Sequence, residues 1–213
     1  MKKILYLVIA ASMIAGCSPK IYKTDNFDSV AARHKIVAIL PSDVNIQLRP
    51  NEAKKIAAED VRKNEENTGL AVQDRMYSWF LRRSDKFHYT VKFQDISKTN
   101  ALLKQANINY MDLRTKSKDE LARLLGVDAI ISSSVRMDKP MSEGAAIAVG
   151  LLIGAWGSTN NVTTSINIHE GSKGDLMWKY DYQASGSVGS STESLVNALM
   201  RNAAKKFPYN SKS

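Results

Sequence analysis

One thiol, three imidazoles and two hydroxyl-rich runs are the side chains of this sequence with chemistry to offer. Cys17 is the single cysteine, which excludes intrachain disulfides, Cys-rich zinc sites and iron–sulfur clusters, since each needs at least two thiols from one chain. His34, His88 and His169 stand in unrelated segments without metal-ligand spacing, and no H-E-x-x-H, P-loop, G-x-S-x-G or G-x-G-x-x-G occurs. No metal ligand and no catalytic residue is assigned from them. Ser132-Ser133-Ser134 and the stretch Ser185 to Thr192 offer hydroxyls, but neither has a base or an oxyanion arrangement beside it. That leaves Cys17, a thiol placed directly after the small residues Ala15 and Gly16.

The segments around Cys17 set its chemistry. Met1-Lys2-Lys3 is a cationic start, Ile4 to Ile14 is almost wholly apolar, and small residues close the run, so residues 1–16 read as a secretory signal peptide. Ile14-Ala15-Gly16-Cys17 resembles the bacterial lipobox, Leu-Ala/Ser-Gly/Ala-Cys, with Ile14 where Leu is commonest. The resemblance implies cleavage between Gly16 and Cys17, a diacylglycerol on the thiol and an acyl chain on the new amino group. No other cofactor is expected. One myristoyl chain binds a membrane only marginally, whereas two or three form an anchor that hardly dissociates. The competing reading, an uncleaved apolar anchor, needs roughly 20 residues to span a bilayer, and this run is shorter. Ser18 rather than Asp follows the Cys, which by resemblance to enterobacterial sorting implies the outer membrane. Residues 17–33 are polar and aperiodic and read as a lipidated tether. Within them Asp28-Ser29-Val30 resembles a short O-glycosylation site of some Bacteroidota, with Ser29 as acceptor.

The chain of 213 residues carries 30 Lys and Arg against 21 Asp and Glu, a net charge of +9. Loss of Lys2 and Lys3 with the signal peptide leaves 28 basic residues against 21 acidic ones, or +7. The bases are spread along the chain rather than clustered with aromatics, and Lys205-Lys206 alone is too little for nucleic acid, so no nucleic-acid partner is expected. Anionic headgroups or an acidic envelope polymer suit such a charge better. A composition of 44% hydrophobic and 24% charged residues fits one ordinary globular domain.

Periodicity orders that domain, over residues 34–209 with a tail at 210–213. Lys35 to Leu40 is a continuous apolar run stopped by Pro41, a strand buried on both faces. A mixed-sign stretch from Glu52 leads into Leu70, Met76, Tyr77, Phe80 and Leu81 at helical spacing, a helix that Gly69 is expected to break or kink. His88 to Gln94 predicts a second strand, and Ile96, Leu102 and Leu103 a short helix. Ser117 and Glu120 form a capping box ahead of Leu121, Leu124 and Leu125, and Gly126 ends that helix before a strand over Ala129 to Val135. Asp128, at the strand entrance, is expected to accept backbone amides. Val162, Thr164, Ile166 and Ile168 alternate with polar residues, as do Leu176, Trp178, Tyr180 and Tyr182, which predicts an antiparallel hairpin. Leu195, Val196, Leu199, Met200, Ala203 and Phe207 form the buried stripe of a closing helix that Pro208 ends. The fold class is therefore α/β, a single domain with a mixed sheet flanked by helices.

Three motifs then coincide in order: Val37-Ala38-Ile39-Leu40-Pro41, Ala122 to Ile130 (ARLLGVDAI), and Gly174-Asp175-Leu176-Met177-Trp178. Together with the lipobox they resemble the CsgG-like and LpoB-like envelope lipoproteins, whose fold is similar to the amino-terminal domain of TolB. The resemblance implies a protein that acts by binding, as an accessory component of envelope assembly or transport, with an envelope protein or further copies of itself as partner. The alternative it implies is a subunit of an oligomeric outer-membrane secretion channel, and a periplasmic hydrolase ranks behind both.

From Gly144 to Ile168 no residue is charged, and the insert 144–161 is largely apolar. Ile147, Val149, Gly150, Leu151, Leu152, Gly154 and Trp156 are candidates for an interaction segment, because Gly150 and Gly154 stand four apart and permit close backbone approach. A buried connection and a membrane-inserted hairpin are the other two readings. The uniform apolar character argues against barrel strands, which alternate.

Overall fold

The computed structural model describes residues 19–48, 50–54, 56–138, 161–185 and 192–210. Cys17, Gly16, the signal peptide, the interaction candidates from Ile147 to Trp156 and the run 186–191 lie outside the described residues. Within them, strands β1 (Lys20–Lys23), β2 (Ile36–Ile39), β3 (Asp43–Gln47), β4 (Lys92–Phe93), β5 (Ala129–Asp138), β6 (Asn161–Glu170) and β7 (Leu176–Ser185) form one sheet. Its order is β1-β7-β6-β5-β2-β4, and β3 pairs with the second half of β5. Contacts of β2 with β4 and β5, and of β3 with β5, are parallel, and the rest antiparallel. The mixed sheet and the carboxy-terminal hairpin are as the periodicity predicts.

Helices cover both faces at the β2 end of the sheet. On one side α3 (Ala58–Phe87) and α6 (Thr192–Lys206), joined by the short α1 (Phe27–Ala31), enclose a core of Val37, Ile39, Phe80, Trp178, Tyr180 and Phe207. On the other, α4 (Ile96–Gln105), a 3-10 turn (Met111–Arg114) and α5 (Lys118–Leu125) bury Ala38, Leu40, Leu113, Leu121 and Ile130. The continuous apolar run of β2 thus serves two cores at once, as a strand without alternation must. α2 (Pro50–Ala53) is a single turn before α3.

Four expectations need correction. Lys20 to Ala31 is not tether: β1 pairs with β7, and Phe27, 1% exposed, and Ala31 are core. The domain therefore begins at Lys20 rather than residue 34. Gly69 does not break a helix, because α3 runs through it to Phe87 and the interruption falls before Ala58. The strand expected over His88 to Gln94 contracts to the pair Lys92–Phe93. Leu176 does not share the face of Trp178. Ile168 opposes Trp178 and His169 opposes Leu176, so Met177 is the extra residue of a bulge and takes the core position instead.

The predicted helix ends hold. Ser117 Oγ accepts from Glu120 N, although the Glu120 carboxylate turns to Lys116 Nζ at 2.7 Å instead of closing the box. Gly126 has φ +66°, the left-handed cap. Asp128 Oδ2 accepts from Lys35 N at 2.7 Å and Ile36 N at 2.9 Å, tying the entrance of β5 to that of β2. Partial burial pushes its carboxyl up, but these two amides, with His34 and Lys35, outweigh that and hold it below the usual range. Removing charge-assisted bonds at a largely open position costs about 1–2 kcal/mol. We expect Asp128→Ala to lose that much in urea unfolding and Asp128→Asn, which keeps a carbonyl acceptor, about half.

Candidate functional site

Two surfaces gather polar groups that the packing does not consume. The first is a cleft where the edge of the sheet breaks. Pro41 stops β2, the chain steps outward at Ser42, and β3 resumes along the far half of β5. Gly69 of α3 enters the gap: its carbonyl accepts from Ser42 N at 3.1 Å, and Tyr110 Oη donates to Ser42 O at 2.7 Å while accepting from Val44 N at 2.8 Å. Burial pushes the Tyr110 phenol up to about 12, so it stays protonated and able to donate. The outer edge of β3 is closed the same way, with Glu65 Oε1 on Ile46 N at 3.0 Å and Arg114 Nη2 on Val44 O at 3.1 Å. Arg114 is held to Asp43 at 2.7 Å.

Beside this break lies a cleft of about 200 Å³, lined in part by Asp43, Arg114, Lys118, Ser132, Ser134 and Asn167. The three serines divide by strand alternation: Ser133 points to the opposite face and bonds the Ser42 hydroxyl, while Ser132 and Ser134 are left to the cleft. Lys118 Nζ donates to the carbonyls of Leu113 and Lys116, and burial lowers its pKa. Asn167 Oδ1 is buried without a partner among the described residues. His169 is not free in solvent as a polar-face residue would be: it is half-buried, with Nδ1 3.2 Å from the Gly174 carbonyl.

His34 is buried too, its Nδ1 2.6 Å from the Tyr209 hydroxyl. Burial lowers the pKa of both imidazoles below the ordinary 6.5; Asp128 and Glu170 oppose this at His34, and the Gly174 carbonyl opposes it at His169. A histidine that protonates less readily when folded favours the native state above its unfolded pKa and destabilises it below, by at most about 1.4 kcal/mol per pH unit each. Stability is therefore expected to fall as pH drops from 6.5 toward 5. In urea titrations across that window, His34→Gln combined with His169→Gln should remove most of the slope, because the depressed carboxyls of Asp128 and Glu170 titrate lower.

The second surface is the seam between α3 and α6. Trp79 Nε1 donates to Asn197 Oδ1 at 3.2 Å, and Tyr89 Oη to Ala204 O at 2.7 Å, so the two helices run parallel with their carboxy-terminal turns level. Helical spacing then puts Arg82, Arg83 and Lys86 alongside Arg201 and Lys205, while Lys206, half a turn around α6 from Asn197, lies on its far side. The guanidinium carbons of Arg82 and Arg83 stand 5.1 and 5.3 Å from the Trp79 ring centroid. None of the five seam cations is ion-paired among the described residues, and Asp85 is the one acid interleaved with them. Several solved structures resemble this chain. A PelC dodecamer from Paraburkholderia phytofirmans matches with 10% identity and a TM-score of 0.47, over 93% of this chain and all of that one. Lipoprotein GNA1162 from Neisseria meningitidis matches with 11% identity and a TM-score of 0.48, over 81% of this chain and 96% of that one. The carboxy-terminal domain of LpoB from Escherichia coli gives 11% identity and a TM-score of 0.35, over 72% and 84%. No protein family and no curated protein matches the sequence.

The seam corrects one reading of the sequence. Basic residues that look dispersed over positions 82–205 are brought to one seam, with a tryptophan among them. The signal available in the sequence was the helical spacing of Trp79, Arg82, Arg83 and Lys86; what joins them to Arg201 and Lys205 is tertiary. Ser29, the glycosylation candidate, is exposed on α1 with its hydroxyl donating to Asn26 O at 2.9 Å. Among the described residues no cluster of three or more metal-ligating side chains forms, and no helix is long and apolar enough to cross a membrane.

Proposed function

We propose that this chain is an outer-membrane lipoprotein, held on the periplasmic side by acyl chains on Cys17, that acts by binding an envelope protein as an accessory of envelope assembly or transport, in the manner of the CsgG-like and LpoB-like lipoproteins. The observation that carries the reading is Ile14-Ala15-Gly16-Cys17, followed within three residues by the first strand of a folded domain. The disposition of the polar groups supports it. His34, Asp128, His169 and Tyr110 are each engaged in holding the fold. Intact-mass measurement of protein taken from bacterial membranes tests the reading: a mass lacking residues 1–16 and raised by acyl chains is expected, and a chain retaining Met1 with no increment overturns it.

A further inference from the structure

We infer that the basic seam of α3 and α6 is a docking site for an acidic segment of a protein partner, presented on the end of the domain that points away from the anchoring membrane. The composition of the seam is the first argument. Arg82 and Arg83 flank one half-buried tryptophan, helical spacing continues the charge through Lys86, Arg201 and Lys205, and among the described residues none of the five is ion-paired and Asp85 is the single interleaved carboxylate. Solvent-exposed bases are ordinarily dispersed or matched by acids on a helix face, as Arg123 and Asp119 are on α5. Here the matching acids are missing from the seam. An arginine fork donates to both oxygens of a carboxylate at once, and tryptophan and arginine are among the residue types most enriched where binding energy concentrates. The rings and guanidinia are also ordered in advance: Trp79 is tied to Asn197, and Arg82 and Arg83 stack on it, which reduces the side-chain entropy lost on binding.

Topology is the second argument, and it separates a protein occupant from the phospholipid surface to which the chain is anchored. In β1, Lys23 lies opposite Trp178 and Lys20 opposite Asp181, so β1 followed back from Lys23 to Lys20 travels along β7 toward Ser185. That is the end of the sheet from which α6 sets out at Thr192. α6 then runs to the other end, where Phe207 meets Trp178 at a centroid distance of 6.3 Å. Arg201 and Lys205 belong to its last turns, and Lys86 to the last turn of α3 beside them. The three residues from Cys17 to Lys20 reach at most about 11 Å. The anchor path therefore leads away from the basic end.

This inference takes from the proposed function only the position of the anchor; the charge recognition stands without it. The test uses the full mature chain in non-ionic detergent, with fluorescent poly-L-glutamate as the probe. Binding is expected, weakening steeply with added salt. Lys86→Glu with Lys205→Glu should lower the affinity at least tenfold, as should Arg83→Glu with Arg201→Glu. Lys98→Glu with Lys104→Glu, the same charge change on exposed positions of α4, should lower it less than threefold. Thermal melting confirms that each variant is folded, and the two seam pairs are independent if one is not. Equal losses in seam and α4 variants would reduce the effect to net charge and overturn the inference, as would no loss at all. A second arm places the chain in vesicles of phosphatidylcholine with brominated phosphatidylglycerol. Quenching that disappears in Trp79→Phe would put the seam against lipid and overturn it; quenching unchanged by that substitution is expected. A missing acyl mass would refute the anchor while leaving the poly-L-glutamate result to stand or fall alone.

Discussion

Replacing Gly69 by Ala is expected to destabilise the domain by about 2 kcal/mol, against an intrinsic helix preference that favours Ala by about 1 kcal/mol. The sign is what the experiment reads. Gly69 lies inside α3, where glycine is ordinarily a weakness, and a glycine that merely softened the helix would be improved by the substitution. A β-carbon at this position would collide with the Ser42 carbonyl oxygen and stand 2.7 Å from the Tyr110 ring. Neither neighbour gives way cheaply. Ser42 is pinned through its amide to Gly69 O and through its carbonyl to Tyr110 Oη, and Tyr110 is pinned to Val44 N. Helix and strand break must separate, and all three bonds lengthen together. Urea unfolding of Gly69→Ala should show a lower midpoint with an unchanged slope, and Gly69→Leu should not fold. A stabilised Gly69→Ala would mean that the helix does not approach the break this closely. Tyr110→Phe, which leaves the ring but removes the hydroxyl bridge, is expected to cost about 1–2 kcal/mol.

Gly69 also shows what a linear reading reaches and where it stops. Strands β5, β6 and β7, the helix ends at Ser117 and Gly126, and the role of Asp128 are local facts of alternation, capping and backbone demand, and they were legible before any coordinates. The bulge at Met177 was not, because one inserted residue leaves the alternation of either strand intact and becomes visible only when Ile168 and Trp178 are set opposite each other. β3 was missed for a related reason. Asp43-Val44-Asn45-Ile46-Gln47 alternates, but Val44 and Ile46 alone are too short a signal once Pro41 has ended the preceding strand. β1 carries no signal at all. Each of its four residues is exposed, and it is a strand because β7 offers an edge, not because its side chains ask to be buried. The basic seam belongs to the same class: its members come from helices far apart in sequence, and the register that unites them is set by Trp79 with Asn197 and Tyr89 with Ala204.

Cys17→Ala, in a chain given an ordinary cleavable signal peptide, is expected to move nearly all of the protein from the membrane fraction to the soluble periplasmic fraction. On the proposed reading each buried methylene contributes about 0.8 kcal/mol, so even one 16-carbon chain outweighs by far the roughly 1 kcal/mol that a Lys or Arg near an anionic surface supplies. Salt separates the two contributions. The acylated chain should stay with membranes in 1 M salt, where screening falls to about 3 Å, whereas any Cys17→Ala protein left on the membrane by its net positive charge should be released. Retention of the variant at high salt would assign the attachment to another part of the chain. The short distance between Cys17 and β1 adds a geometric consequence. With the fold beginning at Lys20 there is no long tether to carry the domain into the periplasm, and three residues permit about 11 Å. Reflectivity from a supported bilayer should therefore find the protein layer directly against the headgroups. A gap wider than that reach would require β1 to detach from β7, releasing the Thr24 amide from the Met177 carbonyl it holds at 3.0 Å and uncovering one edge of the sheet.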